Sequence, residues 1–349
     1  MNTQELIAKS RQAEPFSHAE LVRLLEVDPA SAEGYTILAE GRRISEEVTG
    51  GRAEVHGQFA LDLAPCDCNC LWCSFAQKNG VFTQEWRIPP EDAVRMALDF
   101  ERAGASAVLM MTTAFYPFER LIEMCREVRR HLKPQTVLIA NTSDKTPRQA
   151  ARMKEAGFDG AYHARRFREG IDSRIDPVCR LGSMRAIQEA GLWLGTCVEP
   201  IGPEHTPDEI AELILFTASL RPVFSGAARR IPVPGTEMAR RGVISELRMA
   251  QCVAVTRMAM PRETRGNCTH EPCTLGALAG ASLFWAEVGA NPRDDREKTE
   301  EGRGKSVEDC GVLFREAGWS LLDGASKHFT LSPTPASGSF EMFRSPVPG

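Results

Sequence analysis

Residues 58–75 read QFALDLAPCDCNCLWCSF, a short apolar run that stops at a proline and gives way to four cysteines within eight positions. The run reads as a strand and the thiols as a loop at its end. Within the loop, Cys66-x3-Cys70-x2-Cys73 places three thiolates close together. A structural zinc or a closed iron–sulfur cubane takes four ligands. Three ligands leave one iron of a [4Fe–4S] cluster open to bind something else. A zinc knuckle would need Cys68 as fourth ligand, and the loop has no separated second half-site of the usual kind. A disulfide runs against the reducing cytosol. The loop therefore reads as a cluster site with Cys66, Cys70 and Cys73 as ligands and Cys68 as a spectator.

Outward from this loop the chain alternates short apolar runs with amphipathic stretches. The strand candidates are QFALDLAP, SAVLMMT, TVLIAN, DGAYH, LWLGTCVEP, FSGAARRIPV, ETRGN and LFWAEVGA. Helix-periodic segments separate them, from PEDAVRMALDFERAG through SELRMAQCVAVTRMAM to TLGALAGAS, and VEDCGVLFREAGW supplies a last helix. Eight such repeats predict an α/β fold, a TIM-type (βα)8 barrel over residues 51–325. The cysteine loop then falls at the C-terminal face, where barrel enzymes carry their active sites. Residues 1–50 read as a helical extension, with Ser17 and Glu20 in capping-box spacing. Residues 326–349, rich in Pro, Ser and Gly, read as a disordered tail.

Bulk properties narrow the function. The 349 residues carry a formal net charge of −5, so no basic field points to nucleic acid. No apolar run is long enough for a membrane span, and the polar start MNTQELIAKS lacks the character of a secretory signal. A soluble cytoplasmic protein is expected. Among its 11 cysteines, Cys125, Cys179 and Cys252 sit in helix-periodic stretches and read as core residues.

The Cys-x3-Cys-x2-Cys loop, with Trp72 before its last cysteine and Phe75 behind it, resembles the hallmark of radical S-adenosylmethionine (SAM) enzymes. Further likeness to the biotin synthase branch runs over roughly residues 50–320, in IPVPGTEMA, VAVTRMAMP and ALAGASLFWAEVGANPRD. The resemblance implies a [4Fe–4S] cluster whose open iron chelates SAM, and a 5′-deoxyadenosyl radical that takes hydrogen from substrate. It also implies that Trp72, Thr112, Thr113, Ile201 and Gly202 lie around SAM, with Arg174 or Arg180 at its carboxylate. His163 and Glu199, at strand ends of this face, read as catalytic; a buried carboxylate paired with a mouth arginine such as Arg229 or Arg230 is the alternative for Glu199.

Biotin synthases hold a sulfur-donating [2Fe–2S] cluster on three inner-barrel cysteines and an arginine. The matching positions here read as Met110, Asn141 and Leu194, with Arg265 for the arginine and Cys197 three residues out of place. Cys268 and Cys273 in GNCTHEPC, with Cys310 from the last helix, are instead expected to hold a second iron–sulfur cluster. The model this implies is one subunit of the two-protein lipoyl synthases that resemble biotin synthase. Expected partners are a lipoyl carrier protein or octanoylated domain, a paralogous second synthase, and a reductant such as ferredoxin or flavodoxin. The alternatives are a maturase of the [Fe]-hydrogenase type, a mutase of the methylornithine synthase type, or biotin synthase itself.

Overall fold

The computed structural model describes residues 1–287 and 304–330. Eight parallel strands close into a barrel: β1 (Arg52–Ala60), β2 (Ala107–Met111), β3 (Val137–Asn141), β4 (Gly160–Tyr162), β5 (Trp193–Gly195, resuming at Val198–Ile201), β6 (Phe224–Arg229), β7 (Gly266–Cys268) and β8 (Leu283–Ala286). Each strand pairs with the next, and β8 returns to β1 with His56 opposite Trp285. Closure leaves the barrel no free sheet edge.

Helices cover the outside: α1 (Thr3–Arg11), α2 (His18–Glu26), α3 (Ala32–Thr49), α4 (Pro90–Arg102), α5 (Phe118–His131), α6 (Pro147–Ala156), α7 (Pro177–Glu189), α8 (Pro207–Ser219), α9 (Glu246–Ala259), α10 (Thr274–Leu278) and α11 (Val307–Glu316). From α4 onward one helix follows each barrel strand. The capping box at Ser17 and Glu20 forms as its spacing predicts, and Thr146 with Gln149 and Thr206 with Glu209 repeat it. These caps satisfy amide groups that a helix start leaves without partners. The first three helices dock onto the outer layer: Ser45 donates to the Gly280 carbonyl at 2.6 Å and Gln251 donates to the carbonyls of Leu24 and Val27.

Strand alternation sorts side chains into two layers. Val55, Phe59, Val108, Met110 and Leu194 face the helices. Leu109, Ile139, Tyr162, Cys197, Phe224, Cys268 and Trp285 face inward and fill the barrel. Tyr162 stacks on Phe224 with centroids 6.0 Å apart, and Trp285 meets Phe224 edge-on at 5.6 Å. The interior is a packed core beneath an open upper mouth.

Three expectations change. Cys125 and Cys252 are buried, but Cys179 lies on the exposed face of α7. The chain does not leave the domain at 326: Ser326, His328 and Phe329 are buried at the lower end of the barrel, where Phe329 meets Trp193 edge-on at 5.6 Å. The rest of the expected tail, residues 331–349, lies outside the described residues, as does most of the charged connection before α11. Arg265, expected to match the arginine of an inner-barrel cluster, is at this lower end too, donating to the Lys327 carbonyl.

Gly226 on β6 sets the closest backbone approach in the barrel wall. Its φ is +144°, and a Cβ would sit 1.9 Å from the Cys268 carbonyl oxygen. Gly226→Ala is therefore expected to cost about 3 kcal/mol or more of unfolding free energy. Gly50→Ala, at φ +64° with nothing within 4 Å, should cost only about 1 kcal/mol. Urea denaturation of both variants checks this; equal costs would show that the strand can move away from β7.

Candidate active site at the upper mouth of the barrel

The cysteine loop leaves β1 and folds back on itself. The Cys66 amide donates to the Phe75 carbonyl at 2.7 Å, Gln77 donates to the Cys66 carbonyl at 3.0 Å, and Cys73 donates to the Cys70 carbonyl at 3.0 Å. Asn69 takes a left-handed conformation at φ +47° and accepts the Lys78 amide on its side chain at 2.9 Å. That tight turn swings Cys66, Cys68, Cys70 and Cys73 onto one wall of a cavity of about 400 Å³, which Trp72 also lines. The volume is that of an ordinary small-molecule site. Phe75 stacks on Phe82 at 5.1 Å behind the loop.

The thiols are chemically unequal. A hydrogen bond from the Cys68 thiol holds Cys66 down to about 6 against the effect of burial. Burial, followed by the charge of Cys73, pushes Cys70 up to about 12. Cys68 thus touches Cys66 and lines the cavity with the other three. Three half-buried sulfurs on one loop, facing one cavity, are a donor set that fits a thiolate-ligated iron–sulfur cluster.

Opposite the loop stands a network of buried charge. Glu199 lies 3.1 Å from Arg166 and 3.0 Å from His270. Burial alone would raise its carboxyl, but His270 and Arg166 outweigh burial and hold it well below the usual carboxylate range. Burial alone would lower His270, and Glu199 with the Cys268 sulfur instead push it up to about 10. His163 donates through Nε2 to Asp144 at 2.7 Å and accepts from Arg180 on Nδ1 at 3.2 Å. Burial and the Arg180 charge keep it down to about 3, so the ring is neutral.

The structure gathers some expected residues here and disperses others. Cys66, Cys70, Cys73, Trp72, Thr112, Thr113, His163, Arg174 and Glu199 all line the cavity. Thr113 is already committed: its amide donates to Asp62 at 2.8 Å and its hydroxyl reaches the same carboxylate. Thr112 donates to Thr142 at 3.0 Å. Arg174 is exposed and pairs with Asp67 at 2.5 Å, whereas Arg180 is buried in the wall. Ile201 is buried away from the cavity and Gly202 turns its amide to His205, so Glu199 and Pro200 are what that strand end presents. Arg229 pairs with Glu271 and Arg230 with Glu204, leaving Glu199 to Arg166 and His270.

The expected second ligand set does not assemble. Cys273 caps α10, with its sulfur 3.3 Å from the Gly276 amide, and packs in the outer core. Cys310 packs in the same layer and points to the Trp285 carbonyl. Cys268 faces inward instead and meets Cys197, sulfur to sulfur at 2.9 Å, with His270 completing a group whose ligand atoms lie within 4.8 Å of one another. Met110 and Leu194 face the outer layer, so they are not inner-barrel positions. Sequence reading missed the pairing of Cys197 with Cys268, and missed Arg166 and Asp144. The signal was present: Cys197 lies two residues before Glu199, and Cys268 two before His270, so each pair shares a strand face.

With this geometry in hand, similarity to known proteins is informative. No protein-family model matches the chain. Biotin synthase of Rhizobium rhizogenes is 27% identical over 250 residues, 66% of this chain and 75% of that protein. Biotin synthase of Pelobacter propionicus is 25% identical over 301 residues, 80% of this chain and 90% of that one. In fold, the chain matches the FeFe-hydrogenase maturase HydG of Carboxydothermus hydrogenoformans with TM-score 0.76 at 18% identity, covering 94% and 81% of the two chains. It matches methylornithine synthase (PylB) with TM-score 0.75 at 14% identity, covering 91% and 97%. A closed parallel barrel with a three-cysteine loop at its upper mouth is the arrangement expected of a radical SAM enzyme. The chain is similar to the radical SAM superfamily, in its biotin-synthase-like branch, a likeness that implies a [4Fe–4S] cluster and SAM. No helix among the described residues is long and apolar enough to cross a membrane.

The charge network has a pH signature. His270 should stay protonated from pH 5 to 8, and its folded-state value lies above the unfolded value of about 6.5. Its contribution to stability is then complete below pH 6.5 and is lost as pH rises toward 10. NMR of ring-labelled histidine should show His270 charged and His163 neutral at pH 7. A neutral His270 at pH 7 would contradict the Glu199 pairing.

Proposed function

We propose that this radical SAM enzyme inserts sulfur at an unactivated C–H carbon of an octanoyl chain carried on a lysine of a small acceptor protein. The observation that supports this reading is the Cys197–Cys268 pair inside the barrel, one strand step below Glu199 and His270 on the cavity wall. When bound, the [4Fe–4S] cluster and SAM supply a 5′-deoxyadenosyl radical able to take hydrogen from an aliphatic carbon. In this reading Cys66, Cys70 and Cys73 hold the cluster, and Arg180 or Arg174 meets the SAM carboxylate. Leu109, Met111, Ala164, Ile231 and Val233 give the cavity an apolar wall for an alkyl chain. Cys197 and Cys268, with His270 beside them, replace Cys268, Cys273 and Cys310 as the site of a second iron–sulfur group that donates sulfur. The acceptor domain, a paralogous second synthase and a ferredoxin or flavodoxin are the partners this chemistry calls for.

A second reading has its own observation. The Arg166–Glu199–His270 group presents paired charges to the cavity, which suits a small zwitterion better than an alkyl chain. That favours radical chemistry without sulfur insertion, of the maturase or mutase type. Biotin synthase chemistry is disfavoured, because among the described residues the inner barrel has only two cysteines.

Changing any of Cys66, Cys70 or Cys73 to Ala should abolish reductive cleavage of SAM to methionine and 5′-deoxyadenosine, at least 100-fold, since each sulfur is a required ligand. Cys197→Ala with Cys268→Ala should leave that cleavage within a few-fold and remove sulfurated product from an octanoylated acceptor. If the double variant still forms the sulfurated product, the thiol pair is not the donor. If the wild type forms none and instead consumes a free amino acid, the second reading leads.

A further inference from the structure

The lower end of the barrel carries a second cluster of chemistry, on the opposite side of the packed core from the mouth. Glu54 and His56 both face inward from β1, and His328 reaches up to them from the segment after α11. His56 Nε2 lies 2.9 Å from Glu54 Oε2, and His328 Nδ1 lies 3.4 Å from the same oxygen. All three side chains are buried, with relative exposures of 0 to 2%. Among the described residues, neither ring nitrogen of His328 has a hydrogen-bond partner, and neither does His56 Nδ1. Buried polar atoms of this kind call for an explanation.

We propose that Glu54, His56 and His328 form a divalent-metal site of the zinc type that fastens the C-terminal segment to β1. Two imidazoles and a carboxylate are a known zinc donor set. Ligand atoms at 2.0–2.1 Å from a tetrahedral ion lie about 3.3 Å apart, and the two distances given above bracket that value. A fourth position is available from a cavity of about 330 Å³ that Glu54 and His328 both line. Arg52, Arg265 and Lys327 also line that cavity; Arg265 donates to the Lys327 carbonyl, and Arg257 is engaged with the carbonyls of Thr264 and Pro261. The rest of the cradle is shaped for His328. A Cβ on Gly266 would come 2.8 Å from its Nδ1. Ser326 and the Lys327 amide both donate to Glu54, fixing the carboxylate between segment and strand. This site rests on nothing assumed about substrate or sulfur donation.

The test uses holoenzyme whose cysteine sites are filled with iron, titrated anaerobically with zinc or cobalt(II). One zinc per chain should bind at micromolar concentration and raise the melting temperature. Cobalt(II) should give ligand-field absorption without thiolate charge transfer, which separates this site from every cysteine site. His328→Gln should weaken zinc binding at least tenfold while SAM cleavage stays unchanged. Zinc-induced stabilisation of the wild type needs no variant, so misfolding of His328→Gln leaves the proposal exposed. Absence of zinc uptake, a thiolate-type cobalt spectrum, or full zinc affinity in folded His328→Gln would each overturn it; in that case the histidines only share the Glu54 carboxylate.

Discussion

Closure of a parallel barrel forces every strand to send alternate residues to its axis, and each functional group of this protein depends on that constraint. On β1 the inward set is Glu54, His56 and Gln58; on β5 it is Cys197 and Glu199; on β7 and its continuation it is Cys268 and His270. Bulky Tyr162, Phe224 and Trp285 occupy the middle of the axis and separate an upper site from a lower one. A slip of one residue in any strand would turn its polar groups into the apolar outer layer. Gly226 protects that register where β6 and β7 come closest.

The upper mouth is organised by charge as well as by shape. Glu199 sits between two cations, and Arg180 sits between His163, Asp144 and Glu169. Such groups are costly to bury and costlier to leave unmatched: removing one member of a buried pair typically destabilises by about 3–5 kcal/mol. The network is therefore a rigid wall facing a loop of half-buried thiols. Rigidity on one side and ligating sulfurs on the other are what a site needs if a reactive carbon is to be held at one place.

Much of the fold was legible in the sequence because the signals were local. Short apolar runs and capped helices marked all eight barrel repeats, and the spacing of Cys66, Cys70 and Cys73 pointed to one loop on the correct face. The failures came from side-chain direction, which a linear spacing does not carry. Cys268 and Cys273 look like one pair four residues apart, yet a strand end lies between them and sends one inward and the other to cap α10. Met110 reads as an inner position from its spacing, but Leu109 holds that place. Cys179 shares the helical period of its neighbours but falls on the solvent face of α7. Ser326 to Phe329 read as the start of a polar tail because two histidine-lined contacts with β1, made across the whole barrel sequence, leave no local pattern.

The central claim is that one mouth brings together a cluster-binding loop and a separate pair of inner thiols able to hold iron. Iron counting on the Cys66/Cys70/Cys73→Ala triple variant, reconstituted anaerobically, tests it most directly. The account predicts a folded protein that keeps iron and acid-labile sulfide, and loses both when Cys197→Ala and Cys268→Ala are added. A folded triple variant without iron, or one whose iron survives loss of Cys197 and Cys268, would contradict it.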